Sequence, residues 1–374
     1  MGTSVAPGTS RNTATVVVYP RESNPYQTLL YSALADDGRY NIVSIAVPRG
    51  KRAVVLHPFV AAFALTRVAV RHRRRILHIH WMYAFKLPGK SKLGPRLSYV
   101  SSVAFLRVAK LLRYRIVWTV HNVLPHQQIT SDDVAVRRRL ARAASAVIVH
   151  SPSAVVALGA AGIAIRDASV IPHPAFLDHY PVTSDRLDSR QVLGIPADAT
   201  VCLFFGRVEP YKNVPALIEA FRTISASNPS AYLVIAGACK DAKLRAEIET
   251  AVPPLERAIA TLRRLGDDEV SSYFLAADVV ACPFLETTTS GSALLALSFG
   301  VPIVAPRVGA LADLPQGVGF FYDPPDGLEP ALARALASSD QIVAAADQAH
   351  AYASTMTWEN AAEATDAVYA RILA

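Results

Sequence analysis

FFGRVEPYKN, residues 204–213, is the stretch that decides the fold, because the apolar run 201–205 stops at Gly206 and is followed at once by Arg207 and Lys212. Such a run ending in glycine predicts a buried strand whose end lies at a sheet edge. Glycine lets a ligand approach the backbone, and an arginine fork with a lysine point charge suits a diphosphate. A solvated loop with two surface cations would give the same pattern.

On both sides of this stretch, short strands alternate with helical segments. In the second half we predict strands at 201–205, 231–236, 259–264, 278–282 and 302–305, with helices between them. The first half shows the same alternation from Thr15 onward, including a helix at 100–113. Alternation of this kind is typical of doubly wound parallel sheets, so we predict an α/β protein of two Rossmann-like domains.

The domain limits follow from composition and length. Residues 1–13 are rich in Gly, Ser, Thr and Pro, and we predict a disordered N-terminus without a signal peptide. At 374 residues the chain is long enough for two cores, which we place at 14–178 and 179–355. The polar segment 178–192 is the predicted linker, and a closing helix is predicted at 358–373.

Polar residues gather after the predicted strands of the first half, where ligands bind in a parallel sheet. The segment 121–133 is long and polar, as expected of an active-site loop, and its two histidines are the best acid or base candidates. A lone histidine at a strand end, such as His78, is more often a core residue, and a turn explains Asn24-Pro25 almost as well. The candidate cleft residues are Asn24, Tyr26, Gln27, His80, His121, Asn122, His126, His150 and His173.

A second candidate anion site is PFLETTTSGSALLALSFG, residues 283–300. A strand ends here, a carboxylate (Glu286) and a hydroxyl-rich turn follow, and an apolar helix runs to Gly300. The N–H groups of the helix start and the nearby hydroxyls favour a phosphate, although a simple helix cap would need only one hydroxyl. The residues concerned are Thr288, Thr289, Ser290, Gly291 and Ser292.

Charge divides unevenly along the chain, whose formal net charge is +8. Residues 1–180 hold 24 Lys/Arg against 7 Asp/Glu, and the remainder holds 14 against 23. The basic runs lie at 71–75, 86–96, 107–115 and 137–142, and they indicate either solvated helix ends or contact with an anionic surface. The three cysteines lie in apolar runs, so we predict reduced core thiols in a cytoplasmic protein.

These segments, in this order, resemble the GT-B glycosyltransferases, two facing Rossmann-like domains that transfer a sugar from a nucleotide diphosphate donor. The chain resembles the group 1/4-like type of bacterial exopolysaccharide and lipid-linked oligosaccharide enzymes. Its stretch 287–300 looks closer to exopolysaccharide enzymes, β-mannosyltransferases included, than to the commonest retaining group. The resemblance spans nearly the whole chain and rests on Gly206-Arg207 with Lys212, Ala236-Gly237, 278–286, 298–306, His78 with His80, 119–122, 150–153 and 171–174.

The resemblance implies roles for particular residues and for the C-terminal helix. Arg207 and Lys212 would hold the donor diphosphate, Glu286 with 288–292 would hold phosphate and sugar, and His121 would face the reacting sugar. Residues 356–374 would pack back on the first domain. The donor would be a GDP- or UDP-sugar, with GDP-mannose as one candidate, and the acceptor a glycan or a lipid-linked glycan. A peripheral contact of the basic domain with the anionic inner face of the cell membrane is also expected.

This chain departs from the retaining members of that group, which carry two glutamates eight positions apart. Eight positions after Glu286 stands Leu294, and alignment on Gly300 puts Thr287 and Leu295 at the two places. The usual ribose ligand is therefore missing and the stereochemistry stays open. No Asp-x-Asp triplet occurs in the sequence, so we expect transfer without a metal or another cofactor. If the reaction inverts, His121, His126, Asp132 or Asp133 would serve as the base; if it retains, His121 would touch the sugar.

Three rival functions fit parts of the sequence. A nucleic-acid-binding protein would explain the basic runs, but they lack interleaved aromatic residues and the second half is acidic, so no nucleic-acid partner is expected. A sugar-nucleotide epimerase of the same fold would need no acceptor. A non-catalytic protein of the same fold would explain the missing glutamate.

Overall fold

A computed structural model of the chain describes residues 13–22, 25–35, 38–47, 51–86, 93–125 and 127–374. The chain forms two compact units: one comprises the chain up to His173 together with Trp358–Ala374, and the other is Pro174–Thr357. The predicted disordered segment 1–13 lies outside the described residues except for Thr13. No described helix is both long enough and apolar enough to cross a membrane.

The first unit is built on six parallel strands in the order β2-β1-β3-β4-β5-β6. The inner strands are nearly continuous apolar runs because helices cover both faces of the sheet. The strands are β1 (Ala14–Arg21), β2 (Tyr40–Ala46), β3 (Arg75–Ile79), β4 (Arg115–Val120), β5 (Ala146–Val149) and β6 (Ala168–Val170). The helices are α1 (Pro25–Ala35), α2 (Lys51–Arg71), α3 (Leu93–Leu111), α4 (Asp133–Ala143) and α5 (Pro152–Ala160).

The second unit has a sheet of the same kind, with six parallel strands in the order β12-β11-β10-β7-β8-β9. Cys202, Cys239 and Cys282 are buried free thiols in this unit, as predicted. The strands are β7 (Thr200–Phe205), β8 (Ala231–Ala236), β9 (Ala258–Thr261), β10 (Val279–Ala281), β11 (Ile303–Pro306) and β12 (Gly319–Tyr322). The helices are α6 (Arg186–Val192), α7 (Val214–Ser225), α8 (Ala242–Ala251), α9 (Asp267–Ala276), α10 (Gly291–Ser298), α11 (Leu328–Ala337) and α12 (Ser339–Thr355).

The closing helix α13 (Trp358–Leu373) belongs to the first unit, where it packs against α1. Its Tyr369 is fully buried, and the hydroxyl lies 2.6 Å from Nδ1 of His78 on β3. The chain therefore leaves the first unit after His173 and re-enters it at Trp358.

Each sheet has a point where the strand order reverses, between β1 and β3 in the first unit and between β7 and β10 in the second. In open parallel sheets the loops that diverge from such a point leave a crevice at the carboxyl ends of the strands, and ligands bind there. Tyr26, at the start of α1, and His80, after β3, lie at this point in the first unit, and the loops at the corresponding point of the second unit carry Gly206 and Glu286. Both predicted clusters thus lie at the position that the topology favours for a site.

Two predicted elements differ from the structure. The linker predicted at 178–192 contains α6, and the units divide at 173/174 because Ala175 N donates to Met356 O inside the second unit. Polar bonds rather than an apolar stripe fix α6, since Arg190 is buried with its NH2 group 2.8 Å from Oδ2 of Asp278. The helix predicted at 100–113 begins at Leu93, because Pro95 fits the first turn of a helix, where no N–H is needed.

Candidate active site

Gly206 ends β7 with a left-handed backbone, φ +114°, that opens space for two side chains. A Cβ atom placed there would lie 2.7 Å from Ser292 Oγ and 3.1 Å from Lys212 Nζ. At Gly237, which follows β8, a Cβ would lie 2.0 Å from Gly206 O. The two glycines therefore let the strand ends meet and let the lysine and the serine converge beside the backbone.

Lys212 is the buried cation of the second unit's site, with 8% of the residue exposed. Its Nζ lies 3.4 Å from Ser292 Oγ and over the rings of Phe284 and Phe204, 5.0 and 5.7 Å from their centroids. Burial lowers its pKa to about 8. A lysine held this way, with no carboxylate paired to it among the described residues, is suited to an incoming anion.

The other two charged candidates of this unit are accessible to solvent. The Arg207 side chain is 68% exposed, and its nearest carboxylate oxygen is Glu209 Oε1 at 3.9 Å. Glu286 is exposed in the loop between β10 and α10. Both side chains are therefore free to move toward a bound molecule.

The hydroxyls around the start of α10 differ in their contacts. Ser290 caps the helix, since its Oγ accepts from Ala293 N at 3.1 Å. Ser292 points to Lys212, and the buried Thr289 Oγ1 has no hydrogen-bond partner in the described part of the chain. The cap explanation thus accounts for one hydroxyl only. Nothing would touch a Cβ at Gly291, so the helix start is open on that side.

The two positions at which a second glutamate would stand, 294 and 295, are buried in the core. Leu294 and Leu295 are 8% and 5% exposed, and only the first two residues and the last residue of α10 reach the surface. The helix therefore packs by apolar contacts at the two positions where the resemblance implied a ribose ligand.

Histidines form the centre of the first unit's candidate site. His80 Nδ1 lies 3.0 Å from His121 Nε2, and His150 Nε2 lies 3.3 Å from His121 Nδ1. The chain of contacts continues to the Tyr31 hydroxyl, 2.6 Å from His80 Nε2, and to Ile171 O, 3.0 Å from His150 Nδ1. All three rings are buried. The residues that follow β3, β4, β5 and β6 are therefore joined in one line of hydrogen bonds.

The backbone carbonyl of Ile171, at one end of this line of hydrogen bonds, determines the tautomers of the three histidines. Ile171 O can only accept, so His150 Nδ1 carries the proton and the neutral ring accepts at Nε2. His121 must then donate from Nδ1 and accept at Nε2, and His80 does the same in turn. The Tyr31 hydroxyl donates at the far end. Both nitrogens of His121 are thus used, and a substrate could bind one only after His80 or His150 released it.

Burial holds these rings neutral. It lowers the pKa of His78 to about 3 and that of His150 to about 4. The pKa values of His80 and His121 fall well below the ordinary value, first through burial and then through neighbouring histidines. His121 is therefore an uncharged group at neutral pH.

Aromatic rings enclose His121. Trp81 stacks on it with ring centroids 4.5 Å apart, and Tyr26 meets its face edge-on at 4.7 Å. Tyr26 also contacts His173 and Trp358, at 4.9 and 5.6 Å. These contacts restrict the imidazole to one orientation.

The remaining predicted residues have local structural partners or cannot be placed. Gln27 holds the loop after β1, since its Nε2 donates to Pro20 O and its Oε1 accepts from Glu22 N, both at 2.8 Å. Asp132 caps α4, and Asp133 accepts from the backbone of Ile129 and Thr130. Asn122 is half-buried. The predictions for Asn24 and His126 lie outside the described residues.

Sequence reasoning missed Tyr31, Trp81 and Tyr369. Trp81 follows His80 directly, and this proximity could have identified it. Tyr31 and Tyr369 are 47 and 291 residues from His78, to which both hydroxyls are bound. Nothing in their local sequence marks them.

Comparison with known proteins finds a family match within the second unit. Residues 199–339 match the family of glycosyl transferases group 1. The chain is 26% identical over 313 residues to GDP-mannose:glycolipid 4-beta-D-mannosyltransferase of Xanthomonas campestris pv. campestris, covering 80% of this chain and 76% of that protein. It is 31% identical over 186 residues to D-inositol 3-phosphate glycosyltransferase of Corynebacterium urealyticum, covering 47% of this chain and 44% of the relative.

Solved structures share the architecture of the whole chain. Sucrose-phosphate synthase from Thermosynechococcus elongatus superposes with a TM-score of 0.74 at 18% identity, covering 96% of this chain and 99% of that one. HepE of Anabaena, solved with UDP and glucose, gives 0.73 at 18% identity and covers 96% and 100%. The fold is therefore GT-B, as predicted.

Proposed function

We propose that this chain, a nucleotide-sugar glycosyltransferase of the GT-B fold with a group 1 glycosyltransferase domain at residues 199–339, transfers mannose from GDP-mannose to a lipid-linked glycan. Lys212 beside Gly206 and Ser292 carries the proposal, because a cation buried at a strand end is placed to meet a diphosphate. The similarity to a GDP-mannose:glycolipid mannosyltransferase over 80% of the chain supports this donor and this class of acceptor.

The leaving diphosphate sets what the second unit must do. As the bond between sugar and phosphate breaks, negative charge grows on the diphosphate and positive charge on the sugar. We assign stabilisation of the diphosphate to Lys212, to Arg207 and to the N–H groups at the start of α10. Glu286 would contact the sugar. Because Leu294 and Leu295 are buried, the ribose must bind elsewhere, and the two cations carry more of the donor affinity.

We further propose that the first unit positions the sugar and does not take up a proton at His121. The ring is neutral, both nitrogens are bonded, and the Nδ1–H tautomer is fixed by a backbone carbonyl. The acceptor, on this proposal, is reached at the inner face of the cell membrane.

The proposed reaction needs no metal ion, and chelation by EDTA should leave the rate of transfer unchanged.

The donor is tested by calorimetry with GDP, UDP, ADP and TDP, followed by a transfer assay with GDP-mannose and a lipid-linked glycan extracted from membranes. We expect GDP to bind most tightly and a mannosylated glycolipid to form. Tighter binding of UDP than of GDP would contradict GDP-mannose as the donor and would indicate a UDP-sugar in its place. Binding of no nucleotide at all would contradict the enzyme assignment.

The two cations of the site give the first mutational prediction. Arg207→Ala and Lys212→Ala should each lower donor affinity or turnover by well over tenfold, because charge-assisted contacts to a diphosphate are lost. Arg222→Ala is the matched control, since Arg222 lies on α7 of the same unit and pairs with Glu219 on the surface. If both site variants turned over normally, the proposed role of residues 206–212 would be wrong.

A further inference from the structure

The outward sides of α2 and α3 are apolar. Phe59 and Phe63 on α2 are 73% and 63% exposed, and Leu97 and Val100 on α3 are 53% and 59% exposed. The three- and four-residue spacing places such side chains along one stripe of each helix, and the two helices pack against each other. We call this surface the α2–α3 face, and its large exposed side chains are Leu56, Phe59, Val60, Phe63, Val70, Leu93, Leu97 and Val100.

Exposed cations border the α2–α3 face at the C-terminal ends of both helices. Arg73 and Arg74 follow α2, and Arg107, Lys110 and Arg113 lie at the end of α3. Within the described residues none of the five forms an ion pair, and the first unit has few carboxylates to offer. A surface of this composition is uncommon on a protein that meets only water, because unpaired cations repel and bare aromatic rings are costly to hydrate.

Two cavities adjoin this surface, and one of them reaches α4. A groove of about 590 Å³ between α3 and α4 is lined by apolar side chains, among them the buried Val103 and Leu106, and by the cations Arg107, Lys110, Arg139 and Arg142. A pocket of about 470 Å³ shares Lys110. Its other charged lining residues are Arg73, Arg74, Arg75, Arg113 and Arg115, and no carboxylate stands among the described residues that line it. An apolar trough thus adjoins a cationic pocket.

We propose that the α2–α3 face docks on an anionic lipid bilayer, with its apolar side chains in the boundary of the acyl layer and the bordering cations on lipid phosphates. The neighbouring groove would take a lipid chain whose phosphate lies in the cationic pocket. An in-plane helix pair with aromatic side chains and a basic border is the composition that bilayer interfaces attract. The inference rests on the proposed function, in which the acceptor is a lipid.

Other occupants fit the surface less well. A second copy of this chain on the same face would bring two sets of unpaired cations together without carboxylates to neutralise them. A nucleic acid would satisfy the cations but would leave the phenylalanines and leucines in water. A bilayer with anionic headgroups satisfies both kinds of side chain at once.

Flotation with phosphatidylcholine vesicles, with and without phosphatidylglycerol, tests the proposal. The native chain should float with the anionic vesicles, and high salt should weaken this binding. Phe59→Ser with Phe63→Ser should lower the binding about a hundredfold, because two exposed aromatic rings no longer enter the bilayer. Arg107→Gln with Lys110→Gln should lower it about tenfold, and only for anionic vesicles. Leu187→Ser with Val343→Ser, 62% and 61% exposed in the second unit, is the matched control and should float like the native chain.

Two outcomes would overturn the proposal. One is that the Phe59→Ser, Phe63→Ser variant floats like the native chain. The other is that this variant converts a native dimer to a monomer in light scattering while vesicle binding is unchanged, which would assign the face to a second copy. Flotation needs neither donor nor acceptor, so a failed transfer assay would leave its result intact. Unchanged melting temperatures would show that the variants fold.

Discussion

At the scale of single residues, the charge that we propose for diphosphate binding, on Lys212, has a cost in the stability of the fold. Burial lowers its pKa from 10.5 to about 8, so keeping it charged at pH 7 costs about 3 kcal/mol. The unfolded chain binds this proton more tightly, so the cost is fully present below pH 8 and disappears as the pH rises to 10.5.

Lys212→Met should therefore raise the free energy of unfolding at pH 7 by up to about 3 kcal/mol, while donor binding is lost. Methionine fills the space between Phe204 and Phe284 without a charge. Urea denaturation at pH 7 and calorimetry with GDP measure the two effects. Lys240→Met, on an exposed lysine of the same unit, should change neither. A loss of stability in Lys212→Met would show that the charge is not costly in the native fold.

Some residues of the candidate site can be predicted from the sequence, whereas the contacts between others cannot. Gly206, Arg207 and Lys212 are predictable because the strand, the turn and the cations are adjacent in sequence. The hydrogen-bonded line through His80, His121 and His150 is not, because it depends on the register of β3, β4 and β5 and on the orientation of each ring. The sequence brings the histidines to one edge, and only the structure shows that both nitrogens of His121 are used.

At the scale of elements, the start of α10 combines an observed helix cap with the proposed anion site. Ser290→Asp should separate the two roles, since a carboxylate caps a helix as well as a hydroxyl does but repels a diphosphate. We expect the melting temperature of the native chain, with GDP affinity reduced at least tenfold. The matched control is Ser338→Asp, because Ser338 caps α12 in the same way, accepting from Gln341 N. If the affinity of Ser290→Asp for GDP were unchanged, the start of α10 would not bind the diphosphate, and Ser290 would serve only as a helix cap.

Helices and strands whose apolar residues recur at a regular spacing can be predicted from the sequence. Those that are held by polar contacts between distant residues cannot. The run 201–205 is predicted almost to the residue, because the whole of β7 is an apolar strand. Helix α6 is missed because Arg190 and Asp278, which are far apart in sequence, supply the contact that holds it. The start of α3 is missed because Gly94-Pro95 is typical of a turn until the first helical turn is known to tolerate proline.

At the scale of the whole molecule, the buried histidines make the two units differ in acid stability. His78, His80, His121 and His150 are neutral in the folded first unit and become protonated when it unfolds below about pH 6.5. The unfolded state then binds more protons, so stability falls as the pH falls, by about 5 kcal/mol per pH unit if all four contribute. The folded His78 and His150 resist protonation down to about pH 3 and 4.

We therefore expect the first unit to unfold between pH 6.5 and 4, before the second. All three tryptophans, Trp81, Trp118 and Trp358, belong to the first unit, so their fluorescence reports on it alone. Circular dichroism reports on both units and should retain part of its signal after the fluorescence change is complete. A denaturant titration at pH 7 supplies the reference spectra. Tryptophan fluorescence that stayed native to pH 4 would contradict the neutral, buried state of these histidines.

The return of α13 to the first unit has a consequence for biosynthesis. A ribosome completes Pro174–Thr357 as one uninterrupted segment, which can fold as soon as it emerges. The first unit must wait until residues 358–374 have been translated, because Tyr369 supplies a buried ring and a hydroxyl bound to His78, 291 residues earlier. The part of the chain that is made first is therefore finished last, and until then its apolar α1 surface lacks the cover that α13 supplies.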